Sequence, residues 1–150
     1  KDKKPEIWKY FKEERAEDGS IIEIIVRKEL DLNADSRIDM VKFYDETGAL
    51  VREKLDMDFD ERFDAVNHYR QGVLIRKEMD LNYDGNADLW KYYEDGKLVR
   101  LESDKNTDGN IDYWEYYEGG KLDRVGFDQD GDGKVDRMNR RNEKDDGGEG

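Results

Sequence analysis

Apolar and polar residues alternate along much of this chain, and the alternating runs come in pairs. The clearest pairs are LWKYYEDGKLVRLE from Leu89 and YWEYYEGGKLDRVG from Tyr113, where two β-prone runs flank a glycine-containing pair. That arrangement is the signature of a β-hairpin. Weaker copies are VKFYDETGALVREK from Val41 and AVNHYRQGVLIRKE from Ala65, with Gly48 and Gly72 in the turn place held by Gly96 and Gly120. Ahead of them, Trp8, Lys9 and Tyr10 echo Trp90 to Tyr92, and Asp18-Gly19 turns into the β-branched run Ile21 to Val26. This predicts a longer hairpin over residues 7–30, a cap of the kind repeat arrays need.

Between the hairpins an acidic segment recurs: DLNADSRID from Asp31, DMDFDERFD from Asp56, DLNYDGNAD from Asp80, DKNTDGNID from Asp104 and DQDGDGKVD from Asp128. The spacings are 25, 24, 24 and 24 residues, and the extra residue of the first falls at the turn Glu46 to Gly48. A fixed period of this kind decides the architecture before any single element does. The expected fold is all-β: an elongated antiparallel β-hairpin repeat array, a single-layer meander or flat solenoid, with acidic loops along one edge. Residues 1–6 are expected to be a solvated lead, 31–143 five tandem repeats with the last truncated, and 144–150 a disordered tail. Strand alternation puts Trp90, Tyr92, Trp114 and Tyr116 on one face and Leu89, Tyr93, Tyr113 and Tyr117 on the other.

The acidic segments carry the candidate chemistry. Each offers side-chain oxygen at positions 1, 3, 5 and 9, with the backbone carbonyl of residue 7 able to complete the set, which suits a hard cation such as Ca²⁺. The third, fourth and fifth loops supply Asp80, Asn82, Asp84, Asn86 and Asp88; Asp104, Asn106, Asp108, Asn110 and Asp112; and Asp128, Asp130, Asp132, Lys134 and Asp136. Gly85, Gly109 and Gly133 stand at position 6, where the chain must turn sharply, so these three loops are expected to be the strongest sites. The first two loops supply Asp31, Asn33, Asp35, Arg37 and Asp39, then Asp56, Asp58, Asp60, Arg62 and Asp64. Ser36 and Glu61 replace the glycine there, which implies strain or a different turn. Three to five Ca²⁺ ions are therefore expected, and Mg²⁺ fits less well because it prefers a small octahedral shell containing water.

Composition narrows the alternatives. With 45% of residues charged and 35% hydrophobic in 150 residues, a thick core is excluded, yet nine Tyr, three Trp and five Phe exceed what a disordered polymer carries. A net charge of -13 disfavours nucleic acid and anionic membrane surfaces and attracts cations; five divalent ions would reduce it to -3. The chain has no cysteine, so neither disulfides nor thiolate metal sites compensate for the thin core. No apolar run is long enough for a membrane helix and no signal sequence opens the chain, so direct membrane insertion is not expected. The single His68 occupies the strand place of Tyr92 and Tyr116 and is read as packing. Acid–base catalysis needs carboxylates with different environments in a water-poor cleft, which a thin acidic sheet does not offer, so no enzyme is expected.

The DxDxDGxxD pattern, set between strands, resembles the calcium loops of FG-GAP repeats rather than ordinary EF-hands. Position 12 is Lys42, Asn67, Lys91, Glu115 or Asn139 instead of the bidentate Glu, and no flanking helices are evident. The hairpin half, WKYYEDGKL and WEYYEGGKL, resembles the MORN-related repeats of bacterial YwqK-type proteins over roughly residues 38–126. Together these resemblances imply a bacterial β-meander with tight turns on one edge and ions in a row on the other, about 10 Å apart.

The leading expectation is a calcium-rigidified spacer, adhesion or protein-binding module in an extracellular, cell-surface or periplasmic setting. Extracellular calcium saturates sites too weak for the cytosol. A lipid anchor upstream of residue 1 would suit the lysine-rich start. One rival is a glycan-binding module using Trp90, Tyr92, Trp114 and Tyr116. Another is an intracellular calcium buffer or immunity-type binding protein. Oligomeric state is left open by the sequence.

Overall fold

The computed structural model describes residues 4–141. The expected tail at 144–150 and the first three residues of the expected lead lie outside that range. Among the described residues the chain is all-β, with eleven strands and no helix.

The chain divides between Ala87 and Asp88 into two compact units. The first holds β1 (Glu6–Arg15), β2 (Ile21–Asp31), β3 (Met40–Tyr44), β4 (Leu50–Leu55), β5 (Ala65–Arg70) and β6 (Val73–Met79). The second holds β7 (Leu89–Glu94), β8 (Lys97–Ser103), β9 (Tyr113–Glu118), β10 (Lys121–Phe127) and β11 (Arg137–Arg140). Within each unit every strand pairs antiparallel with the next in the chain, which is a simple open meander. All the hairpins expected from the alternating runs form.

The short turns obey their residue chemistry. In the turns Gln71-Gly72, Asp95-Gly96 and Gly119-Gly120 both central residues have positive φ, the conformation that matches the twist of two flanking strands. The turn after β3 is longer: Gly48 N–H donates to Asp45 O at 3.0 Å and Asp45 N–H to Ala49 O at 2.9 Å. That accommodates the extra residue of the first repeat. Each of the five hairpins also shifts register once, leaving Val26, Val51, Ile75, Val99 or Asp123 unpaired in its second strand. One extra residue at the same place in each copy adds local twist.

A second layer is replaced by long side chains lying on the sheet. In the first unit Tyr10, Arg27, Phe43, Arg52, His68 and Arg76 are successive cross-strand partners, and in the second Tyr92, Arg100, Tyr116 and Arg124 are. The guanidinium groups sit over the rings, Arg27 at 4.2 Å from Tyr10, Arg52 at 4.3 Å from Phe43 and Arg100 at 4.1 Å from Tyr92. Each such contact contributes about 0.5–1 kcal/mol at exposed sites. A neighbouring row of glutamates closes the network: Tyr10 Oη donates to Glu29 at 2.8 Å and Tyr92 Oη to Glu102 at 3.0 Å. Arg27, Arg76 and Arg100 pair with Glu29, Glu78 and Glu102 at 3.1, 2.6 and 3.1 Å. His68 takes its place in the row, 3.4 Å from Glu78, in line with a packing role.

On the opposite face Glu115 accepts from the hydroxyls of both Tyr113 and Tyr117. Burial, followed by those hydrogen bonds to a carboxylate, pushes both phenols up to about 12. Among the described residues the buried apolar side chains are only Val41, Ala65 and Trp114, whereas seven aspartates and Glu53 are buried. The best-covered part of this protein is acidic, and it lies in the loops.

Candidate metal centre

Each acidic loop opens where one hairpin ends and closes where the next begins. The N–H of position 9 returns to the carbonyl of the residue preceding the loop: Asp39 to Leu30, Asp64 to Leu55, Asp112 to Ser103 and Asp136 to Phe127, at 2.8–3.0 Å. Strand pairing thus holds the two ends of a nine-residue acidic segment together.

Inside the loops one hydrogen-bond scheme recurs. The position 1 carboxylate accepts the N–H of position 6 in all five, from Ser36, Glu61, Gly85, Gly109 and Gly133, at 2.7, 2.8, 2.7, 2.7 and 2.7 Å. The position 3 side chain accepts the N–H of position 5, and position 5 accepts the N–H of position 7; in the fourth loop these are Asp108 to Asn106 at 3.1 Å and Asn110 to Asp108 at 2.8 Å. Position 9 accepts from the start of its own loop: Leu32 N–H to Asp39 at 2.6 Å, Met57 to Asp64 at 2.7 Å, Lys105 to Asp112 at 3.1 Å and Gln129 to Asp136 at 2.8 Å. Asp and Asn make such side-chain turns readily, which explains why only these two residues occupy positions 1, 3, 5 and 9.

The expectation about Ser36 and Glu61 resolves toward strain and away from a different turn. Their φ angles are 75° and 76°, in the same left-handed region as Gly85, Gly109 and Gly133 at 94°, 91° and 81°. Position 4 is also left-handed, at Ala34, Phe59, Tyr83, Thr107 and Gly131, and sequence reasoning missed it because only the last is glycine.

Carboxylate oxygens of Asp56, Asp58 and Asp64 in the second loop lie within 4.8 Å of one another, as do those of Asp128, Asp130 and Asp136 in the fifth. These are positions 1, 3 and 9, and each group could hold a metal ion. In the first, third and fourth loops position 3 is Asn33, Asn82 or Asn106, an oxygen donor without charge. The third loop runs from Asp80 to Ala87 in the first unit, with Asp88 opening the second.

The electrostatics follow the crowding. The carboxyl of Asp58 is pushed up, by burial first and then by the charges of Asp60, Asp64 and Asp56. At Asp130 the hydrogen bond from Asp132 N–H acts downward, but burial and the charges of Asp132, Asp136 and Asp128 outweigh it and the net direction is up. Asp60 moves down because Arg62 bonds its side chain. Arg62 and Arg37, expected to contribute backbone carbonyls at position 7, also use their side chains between loops: Arg62 Nη2 donates to Tyr83 O at 3.1 Å, and Arg37 pairs with Glu61 at 2.9 Å. Successive loops are further joined through backbone, with the N–H of Asp56, Asp80, Asp104 and Asp128 donating to the carbonyls of Asp39, Asp64, Asp88 and Asp112.

No family model matches this sequence, and no curated protein matches it. Among solved structures, a crystal structure of accessory secretory protein 1,2 and 3 in Streptococcus pneumoniae aligns with 66% of this chain at 14% identity and a TM-score of 0.43. The chain spans 19% of the length of that structure. No helix among the described residues is long and apolar enough to cross a membrane.

Proposed function

We propose that this chain is a calcium-binding, calcium-stabilised β-hairpin repeat module, acting as a spacer, adhesion or protein-binding segment at a bacterial surface or in the periplasm, and that it is not an enzyme. The observation that carries the reading is the repetition of one oxygen-rich loop geometry, with its carboxylates at positions 1, 3 and 9 gathered within 4.8 Å in the second and fifth loops. Two unit charges about 4 Å apart repel by about 1 kcal/mol in water and about 4 kcal/mol at a protein surface, so a bound divalent cation offsets a cost the empty loop bears. Oxygen-only ligands from a nine-residue segment, including backbone carbonyl, favour Ca²⁺ over the smaller, rigidly octahedral Mg²⁺. The recurrence of one hairpin, each copy followed by its own acidic loop, supports a structural role.

The glycan reading finds less support. Ring faces of Tyr92 and Tyr116 carry Arg100 at 4.1 Å and Arg124 at 5.0 Å, and Trp114 is buried. A sugar would have to displace those guanidinium groups. For an intracellular buffer the discriminating quantity is affinity: sub-micromolar binding would favour it, whereas submillimolar binding suits an exported module.

Calorimetric titration of chelator-treated protein with Ca²⁺, with circular dichroism on the same samples, tests the reading. Uptake of three to five ions with a rise in thermal stability is the expected result. No heat of binding and an unchanged melting temperature would reduce the loops to acidic turns.

A further inference from the structure

We propose that the outer edge of β1 pairs antiparallel with β1 of a second copy of this chain, with Phe11 facing Phe11 across the two-fold axis. Among the described residues β1 pairs only with β2, and nine of its ten residues are exposed. Proteins usually blunt such an edge with short length, charged side chains, a bulge or proline, and of these β1 has only the charges, Glu6, Lys9, Lys12, Glu13, Glu14 and Arg15, which are of both signs. Here the strand is long, its only proline precedes it, and the register shift of the hairpin lies in β2, where Val26 is the unpaired residue. Ile7, Trp8, Tyr10 and Phe11 stay 54%, 38%, 39% and 52% exposed. By contrast β11 is four residues with an arginine at each end.

The geometry restricts the registers. Ala16 N–H donates inward to Ser20 O at 2.8 Å, so alternation turns the backbone groups of Arg15, Glu13, Phe11, Lys9 and Ile7 outward. An antiparallel partner related by a two-fold axis must pair these odd residues with odd residues. Centring on Lys9 or Glu13 opposes like charges on the axis, and centring on Tyr10 places Glu6 against Glu14 twice. Centring on Phe11 opposes Lys9 with Glu13 twice and Ile7 with Arg15 twice, with no like-charge pair. It also sets Lys12 of the second copy opposite Tyr10, whose ring carries Arg27 at 4.2 Å on the inner side, so the aromatic–cation alternation continues across the axis. Opposite charges and aromatic pairs directly across strands stabilise an antiparallel pair, and like charges there destabilise it.

The test is analytical ultracentrifugation of the full chain over a concentration series, for the natural sequence, Lys9→Glu, Glu13→Lys and the double variant, each checked for β-structure by circular dichroism. The natural chain should reach twice its 17.8 kDa mass. Each single change should weaken the dimer about tenfold, since both symmetry-related pairs become repulsive. The double variant should restore it. A natural chain that stays monomeric overturns the proposal. So does a Glu13→Lys variant that dimerises as well as the natural chain, or a double variant no better than the singles. Because β1 lies outside the acidic loops, running the series with calcium and with chelator separates this result from the outcome of the calcium reading.

Discussion

The second and fifth loops make the same three-carboxylate cluster, on the same backbone conformation, from different residues. In the fifth, the two left-handed places belong to Gly131 and Gly133; in the second, Phe59 and Glu61 hold them at φ of 65° and 76°. The loops also differ in cover. Position 3 is exposed in both, but at positions 1 and 9 Asp56 and Asp64 are 5% and 4% exposed, whereas Asp128 is half-buried and Asp136 open to solvent. The second loop thus spends backbone strain where the fifth spends none, and it holds its cluster through buried bonds and the Arg37–Glu61 and Arg62–Tyr83 links to neighbouring loops. Glycine is one way to reach this loop conformation, and lateral support is another.

The largest expected effect is calcium itself. At free calcium about 100 times its dissociation constant each filled loop adds about 2.7 kcal/mol, so melting in calcium and in chelator should differ by many degrees. Asp58→Asn and Asp130→Asn should each weaken one site, read as a smaller calcium-induced rise in melting temperature. If both variants keep the full rise, these clusters are not the sites.

Next comes position 9. Asp64→Ala should cost about 2 kcal/mol even in chelator, because it removes a buried carboxylate and leaves the Met57 N–H without its acceptor in a part-buried bond. Asp136→Ala should cost about 1 kcal/mol or less, since water replaces an exposed carboxylate. Equal losses in urea unfolding would show that cover is not what separates the loops.

A smaller contrast tests strain. Gly133→Glu should destabilise the chelated protein by about 1 kcal/mol, the cost of an L-residue in the left-handed region. The reciprocal Glu61→Gly should gain less than that, because it also removes the exposed pair with Arg37 and loosens the unfolded chain. A symmetric exchange would mean that lateral links contribute nothing.

The smallest effect is in pH. Because the folded carboxyls of Asp58 and Asp130 titrate above the ordinary value, the stability they contribute in the metal-free protein is present below about pH 3.9 and lost as pH rises through their raised range. Calcium reverses the preference by favouring the ionised form. The calcium-induced rise in melting temperature should therefore shrink as pH falls into that range, in both loops. Asp60 in the second loop, held down by Arg62, works the other way, as does Asp128 in the fifth: their contributions are present above the ordinary value and lost as pH falls through their lowered ones.

Much of this was legible beforehand. The hairpin runs from Val41, Ala65, Leu89 and Tyr113 become strand pairs, Gly72, Gly96 and Gly120 sit in their turns, and the extra residue lands at Glu46 to Gly48. Trp90 and Trp114 share one face because alternation along a strand is local geometry, and both are partners of Glu102. The five acidic segments were legible as copies of one loop because Asp and Asn at alternate places bond their own backbone. Position 4 was not, since nothing about Ala34, Phe59, Tyr83 or Thr107 announces a left-handed residue. Its conformation is imposed by the bonds that positions 1 and 3 make around it.

By itself, then, the sequence determined the elements, their period, the places of the turns and the makeup of the acidic loops, because these depend on contacts within a few residues. Tertiary structure alone decided which aspartates are covered and that arginines lie over the rings of adjacent strands. Those outcomes depend on which strand lies beside which, and on groups from neighbouring strands meeting across a register that local pattern does not encode.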